Sequence, residues 1–96
     1  MKVVAEVVII PLGEGASVSK YIKKAYDIFK KYNLKVELTA MGTILEGDMK
    51  EILKAYYEAH KKVLEDVDRV VSQIRIDERK DKENSIERKI KSVLEK

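Results

Sequence analysis

The spacing of apolar residues changes period several times along the chain, and each change marks a boundary. Val3 to Pro11 is rich in β-branched residues and closes at a proline, which reads as a first strand. Apolar residues then recur at Val18, Tyr21, Ile22, Ala25, Ile28, Phe29 and Tyr32, the three-four rhythm of an amphipathic helix. Ser17 or Ser19 can cap that helix, and Asn33 suits a left-handed stop. Lys35 to Ala40 alternates as a second strand, Met41-Gly42 turns, and Thr43 to Glu46 returns as a third. Asp48 with Glu51 makes a capping-box-like start for a second helix carrying Met49, Ile52, Leu53, Tyr56, Ala59, His60 and Val63. Val67 to Asp77 reads as a fourth strand. Asn84 with Glu87 then opens a short third helix with Ile86, Ile90, Val93 and Leu94 directed inward.

This order, βαββαβ plus a carboxy-terminal helix, puts two crossovers around a central hairpin. It predicts an α+β ferredoxin-like sandwich, a four-stranded antiparallel sheet with both long helices on one face. At 96 residues the chain is a single domain spanning 1–96, because a second would be too short to bury a core. On the first strand Val3, Ala5, Val7 and Ile9 face the helices, leaving Val4, Glu6, Val8 and Ile10 outward. On the fourth, Val70, Ser72, Ile74 and Ile76 face the helices, and Val71, Gln73 and Arg75 lie on the open face. Those strands are neighbours in the predicted sheet, so Glu6 and Arg75 can pair across the ladder. A water-exposed face should alternate more strictly with polar residues. The half-apolar face of Val4, Glu6, Val8, Val71, Gln73 and Arg75 therefore predicts burial against a second copy.

Composition narrows the function classes. Charged residues make up 39% and hydrophobic residues 45% of the chain, without Cys or Trp, a thermophile-like balance that fits a cytoplasmic protein. The lack of Cys removes disulfide frameworks, zinc-cysteine clusters and thiol nucleophiles. No apolar run approaches the roughly 20 residues of a membrane span. Glu6 breaks the amino-terminal run that superficially looks like a signal peptide, so a soluble protein with no membrane contact is expected. The net charge of +3 comes from interleaved residues, with Asp81, Glu83, Glu87 and Glu95 among the lysines of the tail. Interleaved charge is a solvated face, and no nucleic-acid partner is expected.

Most candidate chemistry is weak on inspection. His60 is the only histidine and lies on or beside an apolar helix face, the usual setting of a packing residue. Ser17, Ser19 and Ser72 have no base evident in the sequence, as serine catalysis requires. Glu6, Glu37 and Glu46 are strand carboxylates that suit Lys or Arg pairing better than a metal or acid/base role. Gly13-x-Gly15 lacks the residues of a phosphate loop, although the helix start beyond it can hold a polar group. Tyr21, Tyr26, Tyr32, Tyr56 and Tyr57 mostly sit at helix-core spacing and form no RNA-stacking stripe. The hairpin Thr39-Ala40-Met41-Gly42-Thr43-Ile44-Leu45-Glu46-Gly47 is different. A turn needs only its glycine, yet hydroxyls flank this one and a carboxylate follows.

Together, Ser17-Val18-Ser19-x-Tyr21-Ile22 after a strand ending in Pro11, and Thr39-x-Met41-Gly42-Thr43-x-Leu45-Glu46-Gly47, resemble a family of small ferredoxin-like proteins that bind thiamine or its hydroxymethylpyrimidine moiety. The resemblance covers nearly the whole chain. It implies no enzymatic activity, and neither a cofactor nor a metal is expected. It also implies a homotetramer built as a dimer of dimers by sheet packing, with a ligand pocket at or near a subunit interface. Carried onto this chain, Ser17 and Ser19 would give hydroxyl or amide contacts, and Thr39 and Thr43 would hydrogen-bond the aminopyrimidine edge. Met41 beside Gly42 would contact the ring, and Glu46 would meet a ring nitrogen or the thiazolium charge. The expected function is a carrier, buffer or sensor of a thiamine-like molecule. Two alternatives stand beside it: a structural or regulatory homo-oligomeric module without a small ligand, and a carboxylate- or metal-dependent enzyme.

Overall fold

The computed structural model describes residues 2–95. Its elements are β1 (Lys2–Leu12), α1 (Ser19–Phe29), β2 (Lys35–Leu38), β3 (Thr43–Asp48), α2 (Met49–Leu64), β4 (Arg69–Asp77) and α3 (Ile86–Leu94). The sheet order is β2-β3-β1-β4, with every neighbouring pair antiparallel. This is the ferredoxin-like α+β sandwich expected from the sequence. Val3, Ala5, Val7, Ile9 and Leu45 bury their side chains against Tyr21, Ala25, Ile28 and Phe29 of α1 and Ile52, Ala55, Ala59 and Val63 of α2. Alanines at 55 and 59 let α2 approach closely, whereas Leu53, expected on the apolar stripe, is exposed.

Several local expectations are corrected. Neither Ser17 nor Ser19 caps α1: the helix begins at Ser19, and Val18 occupies the cap position without a side-chain hydrogen bond. Val18 packs partly buried against the core, so tertiary contact sets the helix start. Asn33 does not enter the left-handed region, since no described residue other than glycine has positive φ. Instead α1 runs out through tight turns, with Lys31 N–H on the Ile28 carbonyl and Tyr32 N–H on that of Phe29. By contrast Asp48 caps α2 as expected, accepting the Lys50 N–H at 3.1 Å.

The open face carries the predicted set. The β1–β4 register opposes Glu6 to Arg75, Val8 to Gln73 and Ile10 to Val71. Glu6 and Arg75 form an ion pair at 3.2 Å. The α3 helix covers one end of this face, but not as expected. Ser85, rather than Asn84, is its cap, accepting the Arg88 N–H at 3.1 Å. Asn84 is buried and donates from Nδ2 to the Asp77 carbonyl at 2.8 Å. Of the four apolar residues expected inward, only Ile86 is buried; Ile90, Val93 and Leu94 are exposed. The periodicity correctly reported an apolar stripe, but only its first turn meets the sheet.

Glu46 makes that first turn possible. It lies opposite Val4 on the open face and is only 9% exposed. Its Oε1 accepts the Ile86 N–H at 2.7 Å, one of the amides that a helix start leaves without an internal partner. Glu46→Ala strands this buried donor and is expected to destabilise the α3 attachment by about 1–3 kcal/mol. The check is amide exchange of residues 86–94, which should accelerate while that of α2 does not.

Candidate functional site

The site originates in a mismatch of strand lengths. β3 begins only at Thr43, opposite Val7, while β1 continues to Leu12. From Val8 onward β1 has β4 on one side and no strand on the other. Pro11 falls in this overhang, where a missing N–H is tolerated. The gap is walled by α1 and by the loop joining β2 to β3, and it encloses a cavity of about 230 Å³. Val7, Val8 and Ile9 form one wall, Val18, Ile22, Ala25 and Phe29 another, and Leu38 with Thr39, Ala40, Met41, Gly42 and Thr43 the third. None of these lining residues is charged.

The hairpin is held by Thr39. Its hydroxyl donates to the Gly42 carbonyl at 2.8 Å and accepts from the Gly42 and Met41 N–H groups at 3.1 and 3.3 Å. Hence β2 ends at Leu38 and not at Ala40, and the Thr39 hydroxyl is already committed. Sequence reasoning had left that hydroxyl without a folding role; it closes the turn. Gly42 is needed for proximity, since a Cβ there would stand 3.1 Å from the Val7 carbonyl oxygen and 3.2 Å from a Val8 methyl. Thr43 is the contrasting hydroxyl. It is 6% exposed, lines the cavity, and makes no side-chain hydrogen bond among the described residues.

The other predicted residues separate. Met41 lines the cavity rim but is 82% exposed, a loop residue and not a strand neighbour of Thr39. Ser19 lies in an adjoining shallow groove with Ile22, Lys23, Tyr26, Leu38 and Thr39. Ser17 is exposed and lines neither space. Glu46, committed to α3, does not line the cavity. The loop before α1 is fixed otherwise than through its serines: Gly13 and Gly15 adopt φ of 83° and 79°, values open to glycine. Tyr21 donates its hydroxyl to Glu14 Oε1 at 2.7 Å, and this hydrogen bond, followed by burial, pushes the phenol above its ordinary pKa. Gly13-x-Gly15 is therefore conformational. The apolar lining residues of α1 were read as core, and nothing in their spacing distinguishes a cavity wall from a packed one.

Two further groups bear on chemistry. Ser72 Oγ lies 2.6 Å from His60 Nδ1 and 2.7 Å from the Tyr56 hydroxyl, a partnership the sequence did not disclose. The three satisfy one another and bridge α2 to β4. The strand carboxylates are dispersed: Glu6 faces Arg75, Glu37 faces Lys35 at 3.8 Å, and Glu46 holds α3. Among the described residues no group of three His, Cys, Asp or Glu side chains converges on a common point, and no helix is long and apolar enough to cross a membrane.

Comparison with known proteins places the chain. A family model described as thiamine-binding protein matches residues 5–94. The chain belongs to that family. Among relatives of the thiamine-binding family member described here, a UPF0045 protein of Methanocaldococcus jannaschii is 73% identical over 94 residues, covering 98% of this chain and 94% of its own. A UPF0045 protein of Bacillus subtilis is 36% identical, with 94% and 92% covered. The crystal structure of a hypothetical protein from M. jannaschii matches with a TM-score of 0.95 at 73% identity, covering 99% of this chain and 98% of that one. A Thermotoga maritima protein, named provisionally for thiamine biosynthesis/salvage, shares the fold with a TM-score of 0.86 at 24% identity, covering 97% and 99%.

Proposed function

We propose that the protein binds thiamine or its hydroxymethylpyrimidine moiety without catalysis, as a carrier, buffer or sensor, with the pyrimidine ring in the cavity between α1 and the β2–β3 loop. The carrying observation is an uncharged, mainly apolar cavity that Thr43 lines with a hydroxyl left open to it, engaged by no side-chain hydrogen bond among the described residues. An apolar enclosure with a few placed polar groups is the usual form of a small-molecule site. At about 230 Å³ the cavity is smaller than the roughly 300–1,000 Å³ that encloses a drug-sized ligand. It therefore suits one ring of a two-ring ligand. The absence of charge in the lining favours the neutral pyrimidine over the cationic thiazolium. Membership of the family described as thiamine-binding supports the same ligand class.

Isothermal titration with thiamine and with hydroxymethylpyrimidine tests the reading. Saturable heat with either supports it, and no heat with both removes it. Thr43→Val keeps the shape and deletes the hydroxyl. It should weaken binding roughly tenfold, about 1.4 kcal/mol, and leave the unfolding midpoint nearly unchanged. An unaltered affinity would take Thr43 out of the site.

The open sheet face supports self-association as part of this function. Ile10 and Val71 are 42% and 41% exposed and lie directly opposite each other. A dimer of dimers packed through Val4, Glu6, Val8, Val71, Gln73 and Arg75 would cover them. Light scattering should then give four times the 11.1 kDa chain mass; a clean monomer would end this part of the proposal.

A further inference from the structure

The two edges of the sheet differ in kind. At one edge β2 is four residues long and carries Lys35 and Glu37, a short charged strand of the sort that resists further pairing. At the other, β4 runs nine residues, Arg69–Asp77, without proline, lysine or glycine. Its register with β1 is unbroken, so no bulge turns the edge away. Among the described residues its backbone makes no hydrogen bond outside the β1 ladder except at Asp77, whose carbonyl accepts from Asn84. Val70, Ser72, Ile74 and Ile76 lie on the helix side, where Ser72 meets Tyr56 and His60 of α2. Val70 and Ile74 are only partly buried there, and Ile76 is 37% exposed. A long, regular, half-apolar edge is a template for another strand.

We propose that β4 pairs antiparallel with β4 of a second copy, across a two-fold axis at Gln73, and so joins two sheets into one. Such an axis, normal to the sheet, keeps the helices of both copies on the same side. It must centre on a residue, because directly opposed residues share a face. Centring on Ser72 would oppose Arg69 to Arg75, and centring on Ile74 would oppose it to Arg79. Centring on Gln73 uses the whole strand and opposes Arg69 to Asp77 at both ends. Arg69 has no ion-pair partner among the described residues, and the Asp77 carboxylate can accept it beside Lys89. On the helix side Val70 then meets Ile76, and on the open side the two Gln73 carboxamides can hydrogen-bond each other. The pairing rests on the self-association proposed above and supplies what the open face lacks. A dimer of dimers needs two different isologous contacts, and packing through the face is only one of them.

The chain contains no cysteine, so single cysteines report this contact without background. Gln73→Cys should oxidise in a glutathione buffer to a disulfide-linked dimer, because opposed strand residues lie within disulfide reach. Val70→Cys and Ile76→Cys, refolded together, should link to each other, and neither should link to itself. These two positions lie on the helix side, so contact through the open face cannot bring them together. Non-reducing electrophoresis reads each link as a band of twice the chain mass, with light scattering of the unsubstituted protein beside it. An oligomer without the Val70–Ile76 link overturns the edge pairing and leaves the face contact standing. A clean monomer overturns both, and linking of Val70→Cys or Ile76→Cys to itself overturns the register.

Discussion

Phe29→Ala is expected to lower the unfolding free energy by about 3–5 kcal/mol, the largest loss from a single substitution in this account. Phe29 is 1% exposed and packs in the core between α1 and the sheet. It also lines the 230 Å³ cavity, so deleting its ring adds new empty volume to space already present. Neighbouring side chains cannot easily collapse into an enlarged hole bounded by the rigid overhang of β1, which places the cost toward the upper end. Urea unfolding measures it, read from the midpoint at an unchanged slope. A loss below about 1 kcal/mol would show that the ring does not carry the packing assigned to it.

Ala25→Leu is expected to act in the opposite sense on the site. Ala25 is buried on α1 and its methyl lines the cavity. A leucine there places its branched end where the pyrimidine is proposed to sit. Binding should fall on the order of hundredfold, about 2.7 kcal/mol. Stability should hold or rise, because empty apolar space is being filled. Calorimetric titration together with thermal unfolding separates the two effects. Lost binding with an intact melting transition supports the site, whereas full binding to a folded variant would place the ligand elsewhere.

The long periodic segments were legible because each has one face to bury and enough length to show it. The α2 helix announced itself through its apolar stripe and its Asp48 cap, and the strand alternation even paired Glu6 with Arg75. Where the sequence reading erred, contacts distant in the chain had decided the outcome. Val18 packs against the core and displaces the serine caps, and Glu46 serves an amide 40 residues away. The α3 stripe is real, yet no local feature tells how many of its turns meet the sheet.

The site was legible in part for the same reason. Thr39, Met41, Gly42 and Thr43 stood out as more polar or more constrained than a bare turn requires, and all four line the cavity. Their roles differ: Thr39 closes the loop, Gly42 permits close approach to β1, and Thr43 turns a hydroxyl with no side-chain hydrogen bond among the described residues to the cavity. The cavity itself follows from β1 outrunning β3, a comparison of two strand ends that only the register supplies.

The central claim is that the space between α1 and the β2–β3 loop is the ligand site. An amide chemical-shift titration of the ¹⁵N-labelled protein with hydroxymethylpyrimidine tests it most directly. The account predicts saturable shifts concentrated at Ile22, Ala25, Gly42 and Thr43, together with Val8 and Ile9 on the overhanging strand. Shifts confined to other parts of the fold, or none at saturating ligand, would contradict it.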